Sequence, residues 1–210
     1  AAGLLYEQIG LIYRSYYDFP KSLQAYQQAI EHYTKANRPF HKIYNMFSAS
    51  DIYRNTQKED AAYQTLKTAL AESRKLNDQS LVKSCINNLI LVCIDLEQWE
   101  EATQWYQEYQ KNNGRDYPTV TFYGYIARLH AKNKNFKDAF MLLDETWKKT
   151  KSLQDSINLF HAESQVHQMN GSWEESYRSM AKRISHQNKV IRKSLQQPVL
   201  TAQNNFLNQE

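Results

Sequence analysis

Apolar and small residues recur three and four positions apart along most of the chain, which is the spacing of one face of an α-helix. A short signature interrupts this pattern five times, with steps of 40, 40, 37 and 37 residues between its copies. We interpret each copy as the turn between the two helices of a pair. The copies are Phe19-Pro20-Lys21-Ser22, Glu59-Asp60-Ala61-Ala62, Trp99-Glu100-Glu101-Ala102, Phe136-Lys137-Asp138-Ala139 and Trp173-Glu174-Glu175-Ser176.

A period of this length is typical of a repeat protein, because repeats of about 20 to 50 residues bury their apolar faces only by stacking on their neighbours. Few residues favour turns, since the chain has 5 Gly and 4 Pro in 210 positions, and this favours long helices with short connections. The sequence therefore predicts an all-α solenoid of helix pairs. The predicted repeats cover about 4–36, 44–76, 84–116, 121–152 and 158–188.

The residues around each signature follow one order. Before it come a large residue, a large and a small residue side by side, and an aromatic residue; after it comes a small-large-small trio. In the first repeat these are Tyr6, Ile9, Gly10 and Tyr13, then Ser22, Tyr26 and Ala29. This order resembles the tetratricopeptide repeat family in a long-period variant, over residues 4 to about 186. The fifth repeat departs from it, with Glu163 and Arg183 at apolar positions, as expected of a terminal repeat.

The resemblance implies a right-handed α-solenoid (an α-α superhelix) of five helix pairs plus a C-terminal helix. It also implies a non-enzymatic module that binds a protein or peptide in a concave groove lined by the first helix of each pair. Aromatic side chains supply contact area there at small entropic cost, and asparagines can pair with a peptide backbone. The predicted groove residues are Tyr44, Phe47, Asp51, Arg54, Asn55, Asn87, Asn88, Leu91, Asp95, Tyr125, Arg128, Lys132, His161 and Gln165.

The C-terminal part differs in character from the repeats. A basic stripe along the last helix is interpreted either as a solvated face or as a surface for an acidic partner or a nearby anionic membrane. We expect this helix to end near Gln197, before Pro198, and a last amphipathic segment to cap the solenoid, so that 187–210 forms a separate part after a solenoid of 1–186. Long repeats closing on such a helix, with the stretch Ser194–Gln203, resemble the sensor regions of bacterial tetratricopeptide regulators. The stripe comprises Lys182, Arg183, His186, Lys189, Arg192 and Lys193, and the amphipathic segment contains Val199, Leu200, Phe206 and Leu207.

Composition excludes several other classes. A chain that is 41% hydrophobic and 23% charged is too apolar for disorder, and its net charge of +4 is too small to indicate nucleic-acid binding. No apolar run reaches the roughly 18 residues of a membrane span, and we expect the chain to be a fragment of a longer protein. Cys85 and Cys93 are eight residues apart on one predicted helix, too far to pair, and are interpreted as buried apolar residues.

No motif indicates catalysis, a cofactor or a metal site. The sequence has no His-Glu-x-x-His pair, no glycine-rich phosphate loop and no Gly-x-Ser-x-Gly elbow. Ser179 and Lys182 form a Ser-x-x-Lys pair without the partner motifs that catalysis requires, and Trp99 and Trp173 are interpreted as packing residues between helices. A clamp for a C-terminal carboxylate is not expected, because the basic residues that it requires are missing from the first and third repeats. The alternative to a peptide-binding module is a structural solenoid that serves for homodimerisation or as a spacer and carries a neighbouring output module.

Overall fold

In the computed structural model, which describes residues 2–115 and 118–207 with side chains to residue 193, helices follow one another with short turns. The described residues form ten α-helices and no strand. The helices are α1 (Ala2–Ser15), α2 (Phe19–Lys35), α3 (Pro39–Asn55), α4 (Glu59–Lys75), α5 (Gln79–Asp95), α6 (Trp99–Lys111), α7 (Val120–Lys132), α8 (Phe136–Trp147), α9 (Leu153–Met169) and α10 (Trp173–Leu207).

The signature marks the start of the second helix in every pair. Its first residue is also the first residue of α2, α4, α6, α8 and α10. Two residues earlier, the backbone turns through a left-handed conformation, with φ between 57° and 61° at four non-glycine residues and 76° at Gly171. The four non-glycine residues are Tyr17, Gln57, Glu97 and Lys134. A single residue in the left-handed conformation ends one helix and reverses the direction of the chain, so that the next helix packs beside it.

Side-chain caps begin several helices. The Asp18 carboxylate accepts a hydrogen bond from the Lys21 backbone N–H, and Pro20 occupies the first turn of α2, where a missing N–H costs little. Asp78 caps α5 and Ser152 caps α9 in the same way, each accepting from the backbone N–H three residues on. The three capping residues are Asp or Ser, which favour the N-cap position, so the sequence itself indicates where these helices start.

Small residues allow the two helices of a pair to approach closely. Gly10 on α1 lies against the buried ring of Tyr26 on α2, and a Cβ at Gly10 would lie 2.8 Å from the nearest ring carbon. The Ser22 hydroxyl donates to the Gly10 carbonyl at 2.9 Å. In the last pair, Ser176 donates to the Ser164 carbonyl at 2.9 Å in the same register. Small residues of the repeat order therefore form the contact between the two helices in the first and last pairs.

Helix α5, the first helix of the third pair, is strongly apolar and is buried on most of its faces. Its run from Leu89 to Ile94 is buried without a break, and Cys85 and Cys93 are buried and free. The interpretation of both cysteines as buried residues is confirmed.

The chain divides into two compact units, Ala1–Tyr117 and Pro118–Glu210. The first contains α1–α6 and the second α7–α10. In the second unit, Leu143 of α8 packs with Leu159, Ala162 and Val166 of α9. None of the described helices is long and apolar enough to cross a membrane.

The C-terminal helix corrects three expectations. The predicted break at Pro198 is absent, since α10 runs without interruption from Trp173 to Leu207. The second helix of the fifth pair and the expected C-terminal helix are thus one helix, and the predicted boundary at residue 186 falls inside it. Trp173, expected to pack between helices, is exposed. The side chains of Val199, Leu200, Phe206 and Leu207 lie outside the described part of the chain.

Candidate peptide-binding surface

Three aromatic residues form a row along α3. Tyr44 and Phe47 belong to the predicted groove, and their rings meet edge to face with centroids 5.8 Å apart. Phe40, which is absent from the predicted groove, lies four residues before Tyr44 on the same face. Phe40 and Tyr44 are exposed, and Phe47 is half-buried. The spacing of four and seven residues from Phe40 to Tyr44 and Phe47 is the sequence signal that could have identified Phe40. The aromatic row of Phe40, Tyr44 and Phe47 offers apolar contact area on a rigid helix.

A ladder of alternating charges connects the first helices of the first three pairs. The Arg14 guanidinium on α1 contacts the Asp51 carboxylate on α3 at 2.7 Å. Arg54, one turn further along α3, lies 3.7 Å from Asp51 and binds Asp95 on α5 at 2.7 Å. Three predicted groove residues, Asp51, Arg54 and Asp95, are thereby brought together. This charge ladder of Arg14, Asp51, Arg54 and Asp95 has two positive and two negative groups, so it is neutral as a whole.

Two of the predicted groove asparagines donate hydrogen bonds to backbone carbonyls of their own helices. The Asn55 amide donates to the Asp51 carbonyl and the Asn88 amide to the Ser84 carbonyl, each at 2.8 Å. An amide nitrogen carries two N–H groups, so each side chain keeps a second donor and its carbonyl oxygen for other partners. Asn87 is half-buried on α5, beside Asn88.

Two predicted groove residues are buried, and their expected projection into an open groove is wrong. Leu91 belongs to the buried run of α5, where the apolar sequence continues around the helix and fills the core. Arg128 on α7 is also buried, and its guanidinium carbon lies 4.6 Å from the centroid of the Tyr125 ring. Stacking of this kind lets an arginine tolerate removal from water.

The remaining predicted residues of the second unit are on α7 and α9. Tyr125 is half-buried beneath Arg128, and Lys132 is exposed at the end of α7. His161 and Gln165 are half-buried on α9, one turn apart. These residues belong to a different compact unit from the aromatic row and the charge ladder.

A polar cluster of Glu7, Tyr33 and Asn45 joins the first three helices by hydrogen bonds. The Glu7 carboxylate accepts from the Tyr33 hydroxyl at 3.0 Å and from the Asn45 amide at 3.1 Å. Burial raises the pKa of Tyr33, and the hydrogen bond to Glu7 adds to the effect because it favours the protonated phenol. The Tyr33 ring also stacks on His41 with centroids 4.9 Å apart. This cluster joins α1, α2 and α3.

A second aromatic cluster, also not predicted from the sequence, joins the second helices α4 and α6. Tyr63 and Trp105 both donate hydrogen bonds to the Glu101 carboxylate. The Lys67 ammonium lies over both rings, 5.7 Å and 5.0 Å from their centroids. Because the chain itself supplies the cation and the carboxylate, this cluster stabilises the stack of pairs and offers no vacant cation site.

The described residues contain little that indicates chemistry. No group of three or more His, Cys, Asp or Glu side chains within them could hold a metal ion. Burial raises the pKa of the Cys85 thiol to about 11 and that of the Cys93 thiol to about 12, so both thiols are protonated at neutral pH.

The sequence matches no protein-family model and no curated protein. The structure, however, is similar to several solved helical-repeat structures. The apo form of RapI superimposes with a TM-score of 0.68 at 12% identity, covering 91% of this chain and 85% of that chain. The Rap conjugation gene regulator of plasmid pLS20, solved in complex with a Phr peptide, gives 0.65 at 15% identity over 86% and 50%.

The likeness extends beyond the Rap proteins. A kinesin light chain with tetratricopeptide-like repeats from Podosopora anserina gives a TM-score of 0.58 at 15% identity, covering 90% of this chain and 98% of that chain. Likeness at these identities establishes the fold. The chain has the all-α, tetratricopeptide-like repeat fold, and the fold class predicted from the five signatures is confirmed.

Proposed function

We propose that this chain is a non-enzymatic interaction module that binds an extended segment of another protein along the first helices α1, α3 and α5. The observation that carries the proposal is the aromatic row on α3, in which Phe40 and Tyr44 are exposed and Phe47 is half-buried beside a charge ladder that holds three helices in register. Exposed aromatic side chains on a rigid support are the residues that most often dominate binding energy.

The charges of this surface indicate what kind of segment fits. Each carboxylate of the charge ladder already contacts a guanidinium of the same chain, so the ladder attracts neither anions nor cations strongly. Affinity must therefore come from apolar side chains that pack on Tyr44 and Phe47, and from backbone contacts to amides such as Asn55 and Asn88. We infer a ligand with apolar anchors and little net charge.

A regulatory role is the second part of the proposal. Two of the similar structures are Rap proteins, and one of them is a conjugation gene regulator solved with a peptide. Peptide binding is a property of that regulator, and its fold supports the same mode here. We infer that this chain is the regulatory or sensing part of a longer bacterial signalling protein.

A selection from a random peptide library tests the proposal even though the partner is unidentified. The library is selected in parallel on the immobilised 210-residue chain and on its Tyr44→Ala/Phe47→Ala variant. We expect peptides with apolar anchors to be enriched on the first and lost from the second. Absence of enrichment on the unchanged chain, or equal enrichment on both, would contradict the proposal. Circular dichroism verifies that the variant keeps its helix content.

A further inference from the structure

One face of α10 is apolar, and nothing in the described part of the chain covers it. Trp173, Tyr177 and Ile184 are 66%, 76% and 52% exposed, and their spacing of four and seven residues places them on one side of the helix. A different side contacts α9, because Ser176 and Ser179 make the hydrogen bonds to that helix. We call Trp173, Tyr177 and Ile184 the α10 face.

In α2, the same positions of the repeat are covered by the next pair. Counted from the start of the second helix, Trp173, Tyr177 and Ile184 correspond to three apolar residues of α2. Those three pack against a cluster that includes Ala49 and Ile52 of α3. The three α2 residues are Phe19, Leu23 and Ile30.

The second unit repeats this arrangement independently. The corresponding residues of α8 are Phe136, Phe140 and Trp147, which pack against the cluster containing Leu159 and Val166 of α9. In both units, therefore, these positions on a second helix receive the first helix of the following pair. The α10 face has the chemistry of that junction, and no helix among the described residues packs on it.

The other half of the junction is exposed on α1. Leu5 and Ile12 are 60% and 55% exposed. In α3 their register equivalents are Asn45 and Ile52, and both are buried. In α9 the equivalents are Leu159 and Val166, which are buried as well. We call Leu5 and Ile12 the α1 face.

We propose that the chain associates head to tail with a second copy of itself, the α1 face of one copy packing on the α10 face of the other. One chain carries both halves of a junction that it already forms internally between α2 and α3 and between α8 and α9. The two halves are unlike, so the contact leaves one free face at each end of a dimer. Further copies can add until the chain of copies closes into a ring or extends as a filament.

A symmetrical pairing of two α10 helices is the competing arrangement. Tyr177, Ile184 and the exposed Ile191 are seven residues apart, a spacing that two parallel helices can use to pair. In that arrangement no surface covers Leu5 and Ile12, so their exposure on α1 has no explanation. The internal junctions favour the head-to-tail contact, and the two arrangements differ in which variants they tolerate.

Two variants separate the faces. The α10-face variant carries Tyr177→Glu and Ile184→Glu, and the α1-face variant carries Leu5→Glu and Ile12→Glu; all four residues are exposed, so the fold is kept. Met141→Glu, at a 53% exposed residue of α8, is the matched control. Analytical ultracentrifugation of the 210-residue chain over a concentration series measures the assembly state, and circular dichroism verifies folding.

We expect the unchanged chain and the Met141→Glu control to associate beyond the dimer as concentration rises. Each face variant alone should associate at least about tenfold more weakly, since buried charges oppose apolar packing. An equimolar mixture of the two variants should form a dimer and nothing larger, because together they retain one intact α1 face and one intact α10 face.

Three results would overturn the proposal. The first is an unchanged chain that stays monomeric at every concentration. The second is an α1-face variant that associates as strongly as the unchanged chain, which would indicate symmetrical α10 pairing. The third is a mixture of the two variants that stays monomeric. If a double variant loses helix content, the single substitutions Tyr177→Ser and Ile12→Ser replace it with the same expected pattern. Peptide binding by α3 is unaffected by either outcome.

Discussion

The Arg54 guanidinium on α3 binds one carboxylate oxygen of Asp95 on α5 through two nitrogens, with Nε at 2.8 Å and Nη2 at 2.7 Å from Oδ2. These helices begin consecutive pairs, so the contact fixes the register of one repeat against the next. Charge-assisted hydrogen bonds of this kind are stronger than neutral ones. Both side chains are mostly shielded from solvent, which reduces screening of the pair.

Removing this guanidinium should therefore destabilise the first unit measurably. We expect Arg54→Ala to lower the free energy of unfolding by about 1 to 3 kcal/mol, because it leaves Asp95 partly buried without this partner. Arg74→Ala is the control, since Arg74 pairs with Glu108 at 2.6 Å in a more exposed setting and should cost about 0.2 to 1 kcal/mol. Urea denaturation of both variants makes the comparison. Equal losses of unfolding free energy in the two variants would contradict a larger contribution from the Arg54 contact.

Gly10 should be intolerant of even one added methyl group. A Cβ there would meet the buried Tyr26 ring at 2.8 Å, so we expect Gly10→Ala to cost about 1 to 2 kcal/mol through overpacking. Replacing the Tyr26 ring by a smaller side chain should remove this loss of stability. In a Tyr26→Leu background, Gly10→Ala should be neutral or stabilising by up to about 1 kcal/mol, because alanine favours helix. A double-mutant cycle measured by denaturation reports the coupling, and an additive result would contradict the contact.

The turn before α10 allows a test of backbone strain alone. Gly171 has φ of 76°, and a Cβ added there would have no other atom within 4 Å, so Gly171→Ala meets no neighbour but must adopt a left-handed conformation. We expect it to lower the free energy of unfolding by about 1 kcal/mol. Lys134 occupies the same turn position before α8 with φ of 61°, and Lys134→Ala should change stability little because both residues bear the same strain. Thermal melts of the two variants provide the measurement.

The buried thiols should make the protein less stable in mild alkali. The unfolded chain loses its thiol protons near pH 8.5, whereas the folded pKa values are about 11 for Cys85 and about 12 for Cys93. Between those limits the unfolded state binds fewer protons, so stability falls as pH rises; below about pH 8 both states are protonated and nothing changes. From pH 8 to pH 10 we expect a loss of roughly 1 to 2 kcal/mol per thiol.

The matched control for this pH dependence is the Cys85→Ala/Cys93→Ala variant. Removing two buried side chains also changes the stability at pH 8, so the slope between pH 8 and pH 10 is the quantity to compare. We expect a shallower slope than that of the unchanged chain. Equal slopes would mean that other groups, such as the buried tyrosines, account for the pH dependence.

Much of the fold could be predicted from the sequence because it depends on local chemistry. The signature located the start of the second helix in each pair, and Gly10, a small residue of the repeat order, lies where α1 contacts α2. The course of the chain at Pro198 was not predictable in this way. Proline disfavours a helix interior by propensity, yet α10 continues through it, so local preference did not decide the outcome.

The candidate site was less accessible to sequence reasoning. Helical register placed Tyr44, Phe47 and Asp51 correctly on one helix, but it could not show that Leu91 and Arg128 would be buried. Nor could it show that Asp51, Arg54 and Asp95 would contact one another, since pairing between helices depends on how the pairs stack. The exposure of Trp173 was missed for the same reason, because no helix of the described residues packs on it.

Binding of a protein segment to the aromatic row of α3 is tested most directly by calorimetric titration. A library-selected peptide is titrated into the unchanged chain, Tyr44→Ala, Phe47→Ala and a Tyr177→Ala control. We predict that each α3 substitution raises the dissociation constant by about thirtyfold, as expected when a hot-spot side chain worth about 2 kcal/mol is removed. The control should be unchanged, and affinity should vary little with salt because the charge ladder is neutral. Equal affinity for all four proteins would contradict binding at this row.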